Sequence, residues 1–157
     1  MAAMNEQDDF LTGRIARIPA PDHDADWDRL TTQARIAMTR AYAPYSNYPV
    51  GAAAMLEDGS IVTGCNVENA SYGVGLCAEC TMIGALRMSG GGKIVAFTCV
   101  NREGEYITPC GRCRQLLHEF SADTMQVRTA AGATTLAALL PEAFGPRDLE
   151  TINVEIP

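Results

Sequence analysis

Near the start of the chain, apolar residues recur at helical spacing. Trp27, Leu30, Ala34, Ala37 and Met38 share one stripe, and Asp24 or Asp26 stands where an N-cap belongs. The spacing predicts a helix running to about Ala41. Residues 43–49, with two tyrosines between two prolines, read as a rigid aromatic loop. Two apolar runs, 50–56 and 61–67, flank the turn signal Glu57-Asp58-Gly59-Ser60 and predict a hairpin. A second helix is expected over Ala78–Met88, stopped by Ser89 and three glycines. Residues 93–100 read as a short strand, 101–104 as a turn, and Gly111–Phe120 as a helix entered through Pro109. Residues 125–128 read as a short edge strand. Thr134 or Thr135 then precedes a last helix carrying Leu136, Leu139 and Leu140, ending near Pro141. Residues 152–156 can add one more short strand.

Strands alternating with helices imply an α/β fold, a three-layer α/β/α sandwich around a mixed central sheet of about five strands. Residues 1–23 lack periodicity and read as a mobile leader. Residues 24–150 read as one domain and 151–157 as a tail. At 157 residues, 47% hydrophobic and 20% charged, the chain can bury a real core and is not generally disordered.

The net charge of -7 is unevenly spread. Residues 1–26 carry six acids and two bases, 27–140 nine of each, and 141–157 four acids and one base. A neutral middle between acidic ends offers no basic channel, so a polynucleotide is not expected as partner, whereas a small neutral ligand is. No stretch approaches the roughly 20 apolar residues of a membrane span, and the acidic N-terminus does not read as a signal peptide. The six cysteines are too sparse for a disulfide scaffold, and reduced thiols in a cytoplasmic protein are the expectation.

Cysteine spacing carries the chemistry. Cys110-Gly-Arg-Cys113 opens one helix and Cys77-Ala-Glu79-Cys80 opens another. Each pair alone is a redox dithiol or half a metal site. Together they can face one cation, because helix N-termini favour the thiolates that zinc needs. Four thiolates would close the zinc shell and make the site structural, whereas three leave a position for water. Glu79 favours the open arrangement. A carboxylate one residue from a ligand pair can take the proton of activated water and deliver it to a substrate nitrogen. The alternative is a first-turn acid that merely complements the helix dipole. His23 and His118 fit no motif.

Cys77-Ala-Glu79 followed by Pro109-Cys110-Gly-Arg-Cys113-Arg-Gln115 resembles the signature of the zinc nucleoside and nucleobase deaminases. Three further motifs narrow the resemblance to the small homotetrameric zinc-dependent cytidine deaminases. They are the run from Tyr45-Ser46-Asn47-Tyr48-Pro49 through Ala53, Asn66-Val67-Glu68-Asn69, and Phe144-Gly145-Pro146. The likeness runs from about Ala41 to Leu149.

It implies one Zn²⁺ per chain held by Cys77, Cys110 and Cys113, with Glu79 as proton shuttle. It also implies Asn66 and Glu68 on the ribose hydroxyls, Tyr48 (where Phe is usual) against pyrimidine and sugar, and the Ala78 backbone on the cytosine edge. Tyr72 and Phe144 would complete a neighbouring subunit's pocket in a homotetramer with shared sites. The implied reaction is hydrolytic deamination of cytidine and 2′-deoxycytidine to uridine and 2′-deoxyuridine with release of ammonia, in pyrimidine salvage. Two positions depart from the family: Cys80 stands where Arg is frequent, and Arg112 where Ala is common. The thiolate charge must then be offset by Arg112, by Arg114 or by helix ends alone. The runner-up readings are a deaminase of a modified cytosine nucleoside such as blasticidin S, and a non-catalytic interaction protein stapled by a four-cysteine zinc site.

Overall fold

Asp26 is the first residue described by the computed structural model, which covers residues 26–149. The expected leader, the tail and the strand over 152–156 lie outside the described residues. The Asp26 carboxylate accepts the Arg29 N–H at 2.9 Å and caps α1, Trp27–Met38. The helix stops before Ala41 because its last turn tightens. The Arg40 and Ala41 N–H groups bond the Ala37 and Met38 carbonyls, three residues back, and Thr39 Oγ1 donates to the Ile36 carbonyl.

The hairpin forms as expected from β1, Gly51–Leu56, and β2, Ile61–Cys65. Its turn is held by Asp58, whose carboxylate accepts both the N–H and the O–H of Ser60. The second strand ends two residues early, because Val67 leaves the hairpin to pair with Tyr42 on one side and Leu76 on the other. Next come α2, Ala78–Met88, β3, Ile94–Val100, and α3, Gly111–Phe120, close to the expected limits.

Beyond α3 the expectation needs correction. The strand expected over 125–128 is β4, Ser121–Thr129, and it is interior, not an edge. It runs parallel to β3 and antiparallel to β5, Gly132–Thr135, a strand the pattern did not predict. Gly-Ala-Thr-Thr has too few large apolar residues to stand out. It is held by pairing and by Thr129, whose hydroxyl bonds the Gly132 carbonyl across the turn. The Thr135 side chain then caps the short α4, Leu136–Leu139, by accepting the Ala138 N–H.

The sheet order is β2-β1-β3-β4-β5, with β3–β4 its parallel pair. Helix α1 covers one face, packing Leu30 and Ala34 on Ala53, Ala96 and Val100. On the other face, Met82, Leu86, Leu117 and Leu136 of α2, α3 and α4 pack on Ala52, Ala54, Phe97, Cys99 and Val127. This is the three-layer α/β/α arrangement.

Small residues let the layers close. A Cβ on Gly51 would run into the Ala34 carbonyl of α1, and one on Gly64 into the Ala78 carbonyl and Met82 nitrogen of α2. Thr81 reinforces the second contact. Its hydroxyl accepts the Cys65 N–H at 3.0 Å and lies 2.7 Å from the Cys65 carbonyl, tying the end of β2 to the first turn of α2.

Two glycine substitutions should therefore act in opposite directions. Gly64→Ala forces backbone apart and should destabilise by about 1–3 kcal/mol, as overpacking does. Gly84→Ala lies within α2 with open space around its Cβ and should stabilise by roughly 0.5–1 kcal/mol. Urea denaturation of the two variants beside the parent chain measures both signs.

Candidate metal and catalytic site

The N-termini of α2 and α3 point at one small volume. Cys77 is the N-cap of α2 and Cys110 the N-cap of α3, both in extended backbone that turns their side chains toward the helix ends. Cys113 follows in the first turn of α3 and is buried. The three Sγ atoms lie within 4.8 Å of one another.

Burial pushes the Cys77 thiol up. It pushes Cys113 much further, with the Glu79 carboxylate adding to it. Burial also acts to raise Cys110, but the Cys113 backbone N–H and the neighbouring thiols outweigh it and hold Cys110 below its ordinary value. A dication placed among the three would invert this balance and deprotonate all of them. Sulfurs around a tetrahedral zinc with bonds of about 2.3 Å stand roughly 3.8 Å apart, so the cluster fits that ion with small adjustments.

Cys80 does not join the cluster. Its Sγ instead accepts a hydrogen bond from Arg112 Nη2 at 3.0 Å. The four-thiolate alternative therefore lacks its fourth ligand among the described residues, and Cys77, Cys110 and Cys113 are the residues that would hold a metal.

Beside the sulfurs opens a cavity of about 320 Å³, lined by Asn66, Glu68, Cys77, Ala78, Glu79, Ile107, Pro109 and Cys110 among others. Glu79 is only 4% exposed yet lines this cavity. Buried Cys99 of β3 adjoins the Glu79 carboxylate, and its Sγ donates to the Ile107 carbonyl at 3.2 Å. Burial first, and then Glu79, pushes the Cys99 thiol well up, so it stays neutral beneath the carboxylate.

At the mouth, Asn66 acts as a bracket. Its Oδ1 accepts the Val50 N–H at 2.8 Å and its Nδ2 donates to the Tyr48 carbonyl at 3.0 Å. Glu68 Oε2 accepts the Tyr45 and Ser46 N–H groups at 2.9 and 3.2 Å. The Ser46 side chain, then the Tyr45 N–H, hold this carboxyl below its usual range. Loop 43–49 is thus tied to the very residues that face the cavity.

The chain brings together Cys77, Cys110, Cys113, Glu79, Ala78, Asn66 and Glu68. It leaves three expected residues off this cavity. Tyr48 is 47% exposed on the rim loop. Tyr72 is 80% exposed and lines an adjoining cleft of about 290 Å³, its ring 6.0 Å from that of Tyr45. Phe144 is 59% exposed, its carbonyl accepting Gln115 Nε2 at 2.8 Å.

Sequence reasoning missed Thr81 and the contact between Cys99 and Glu79. Neither belongs to a motif, and both act across elements far apart in sequence. Arg114 stood in the motif without an assigned contact. Its Nε donates to the Pro109 carbonyl and its Nη1 to the Leu139 carbonyl, fixing the entrance to α3.

Comparisons with known proteins agree with this geometry. Residues 25–129 match the family described as the cytidine and deoxycytidylate deaminase zinc-binding region. The chain is 48% identical to a cytidine deaminase of Mycobacterium tuberculosis over 126 residues, covering 80% of this chain and 95% of that protein. A cytidine deaminase of Sporosarcina psychrophila is 39% identical over 129 residues, covering 79% of this chain and 95% of the relative. The crystal structure of cytidine deaminase from Mycobacterium leprae superposes with a TM-score of 0.74 at 52% identity, covering 76% of this chain and all of the other. Three sulfurs spaced for zinc, a buried carboxylate beside them and these likenesses point one way: the chain belongs to the zinc-binding cytidine and deoxycytidylate deaminase family.

Proposed function

We propose that this chain catalyses the hydrolytic deamination of cytidine and 2′-deoxycytidine, consuming one water and releasing one ammonia per uridine or 2′-deoxyuridine formed. The observation that carries the reading is Glu79, a buried carboxylate two residues from Cys77 that lines the same cavity as the sulfurs. Cys77, Cys110 and Cys113 are the zinc ligands, one ion per chain. Zinc supplies a Lewis acid that makes water a competent nucleophile near neutral pH.

The chain's own residues do the rest. Glu79 accepts the proton from the attacking water. It passes a proton to ring N3, which leaves C4 electron-poor. After attack it takes the remaining proton from the hydroxyl added at C4 and hands it to the amino group, so that the C4 carbonyl forms and ammonia, not amide anion, departs. A buried carboxylate suits this role, because few waters compete for the proton it carries. Cys99 and Ile107 form the floor beneath it.

The Ala78 backbone faces the cytosine edge, and Asn66 and Glu68 meet the ribose hydroxyls. Glu68 would accept from a hydroxyl through its carboxylate, and Asn66 would donate from its side-chain amide. The fixed carboxylate also disfavours a 5′-phosphate or a polynucleotide at this mouth, which supports a free nucleoside as substrate. Tyr48 packs against the pyrimidine and sugar, and Tyr72 and Phe144 complete a neighbouring subunit's pocket in a homotetramer with shared sites. Their exposure supports this, since large aromatics left in water invite a partner. Among the described residues no helix is long and apolar enough to cross a membrane. The reading places the enzyme in the cytoplasm, in pyrimidine salvage.

The direct test is ammonia release, with ultraviolet absorbance in parallel, from cytidine, deoxycytidine and adenosine. Zinc-loaded protein that leaves both cytosine nucleosides unchanged over hours overturns the proposal.

Three variants test its parts. Glu79→Gln should keep zinc and fold but lose about 10²–10⁴-fold in kcat, because an amide cannot accept the proton. Cys110→Ala should lose metal and activity together, as should treatment of the parent chain with a strong chelator, and added zinc should restore only the latter. Phe144→Ala should raise KM several-fold with zinc content unchanged. Unaltered kinetics in that variant would mean that Phe144 only anchors its own segment.

A further inference from the structure

Arg112 sits between two of the sulfur residues in sequence, yet its side chain reaches the opposite helix. Its Nη2 donates to Cys80 Sγ at 3.0 Å, joining the first turn of α3 to the first turn of α2. The guanidinium also lies within electrostatic reach of Cys77 and Cys113. The other arginine of the same helix turn is committed elsewhere, since Arg114 donates to the Pro109 and Leu139 carbonyls.

Charge gives this contact a purpose. Three thiolates around a dication leave one net negative charge, and Glu79 adds a second beside it. A surplus of negative charge in a partly buried pocket weakens ligand binding unless a cation offsets it. Arginine suits that task because it stays protonated and its fork can be held by an acceptor. Cys80 supplies the acceptor. A sulfur there holds the exposed guanidinium within electrostatic reach of Cys77 and Cys113.

From this geometry we infer that Arg112 is a positioning residue of the metal centre, that it retains zinc by charge and by clamping α2 to α3, and that Cys80 is its anchor. The inference rests on the zinc site proposed above, but its readout is zinc retention, not turnover.

The experiment follows zinc release from the purified, zinc-loaded chain into a coloured chelator at several salt concentrations. Arg112→Ala should release zinc about tenfold faster or bind it about tenfold more weakly, the size of effect seen for groups that support metal ligands. Arg112→Lys keeps the charge without the fork and should recover part of the loss. Cys80→Ala should fall between Arg112→Ala and the parent chain, and Cys80→Ser, which restores an acceptor, should approach the parent. The parent's release rate should rise with salt as the guanidinium's charge is screened, and that dependence should flatten in Arg112→Ala. Arg29→Ala, on α1 across the sheet, removes the same charge and should leave release unchanged.

Zinc retention in Arg112→Ala equal to the parent overturns the inference while leaving the deaminase reading intact. Should Arg112→Ala fail to fold, Arg112→Lys and Cys80→Ala with parental release and parental salt dependence overturn it equally. A parent chain that binds no zinc defeats the reading on which it rests.

Discussion

Two helix N-termini must meet over one small volume, and most of the structure serves that meeting. Cys77 caps α2 and Cys110 caps α3, so the sulfurs converge only if both helices lie on the same face of the sheet with their starts level. Gly64 lets α2 approach the β2 backbone, and Thr81 bonds the end of that strand to the helix's first turn. Phe97, Cys99 and Leu117 fill the space beneath. On the α3 side, Arg114 ties the entrance of the helix to the Pro109 and Leu139 carbonyls. Helix ends are where unsatisfied N–H groups and the dipole favour anions, so the packing that brings the sulfurs together also lowers the cost of ionising them.

That electrostatic gain is needed because burial works the other way. Among these residues the thiols of Cys77 and Cys113 are pushed up, and only Cys110, the exposed member, is drawn down. A cation among the three would favour ionisation of all of them, so metal binding would release protons. Glu79 shares the same ground. It is close enough to Cys113 and Cys99 to raise both, and it is itself buried.

The mouth follows a different logic from the floor. Its polar residues are fixed by the loop that surrounds them, with Asn66 bracketing Val50 and Tyr48, and Glu68 held by Tyr45 and Ser46. Groups held this way are already oriented, which limits the entropy that a ligand binding beside them would cost. Tyr45 and Tyr72 of the adjoining cleft, Tyr48 of the rim loop and Phe144 near the end of the described residues are all largely exposed. Floor and mouth polarity are thus set by contacts within this one chain.

Local signals in the sequence determined the limits of α2 and α3, the β1–β2 hairpin, and the chemistry itself. Capping residues, glycine stops, apolar runs and cysteine spacing act within a few residues of where they are read. The clustering of Cys77, Cys110 and Cys113 beside Glu79 was legible for that reason. Only the tertiary structure decided the rest. β5 exists because β4 offers it a partner, since Gly132-Ala-Thr-Thr135 carries no strand signal of its own. For the same reason β4 is interior, paired on both sides. Cys80 looked like a fourth ligand by spacing, and its exclusion depends on a guanidinium arriving from α3. Asn66 and Glu68 could be read as substrate groups, but their work as brackets for loop 43–49 appears only when that loop folds over them. Spacing along a chain reports which groups a helix or strand can present together. Which of them meet, and which are diverted to other partners, depends on contacts between elements that no local window contains.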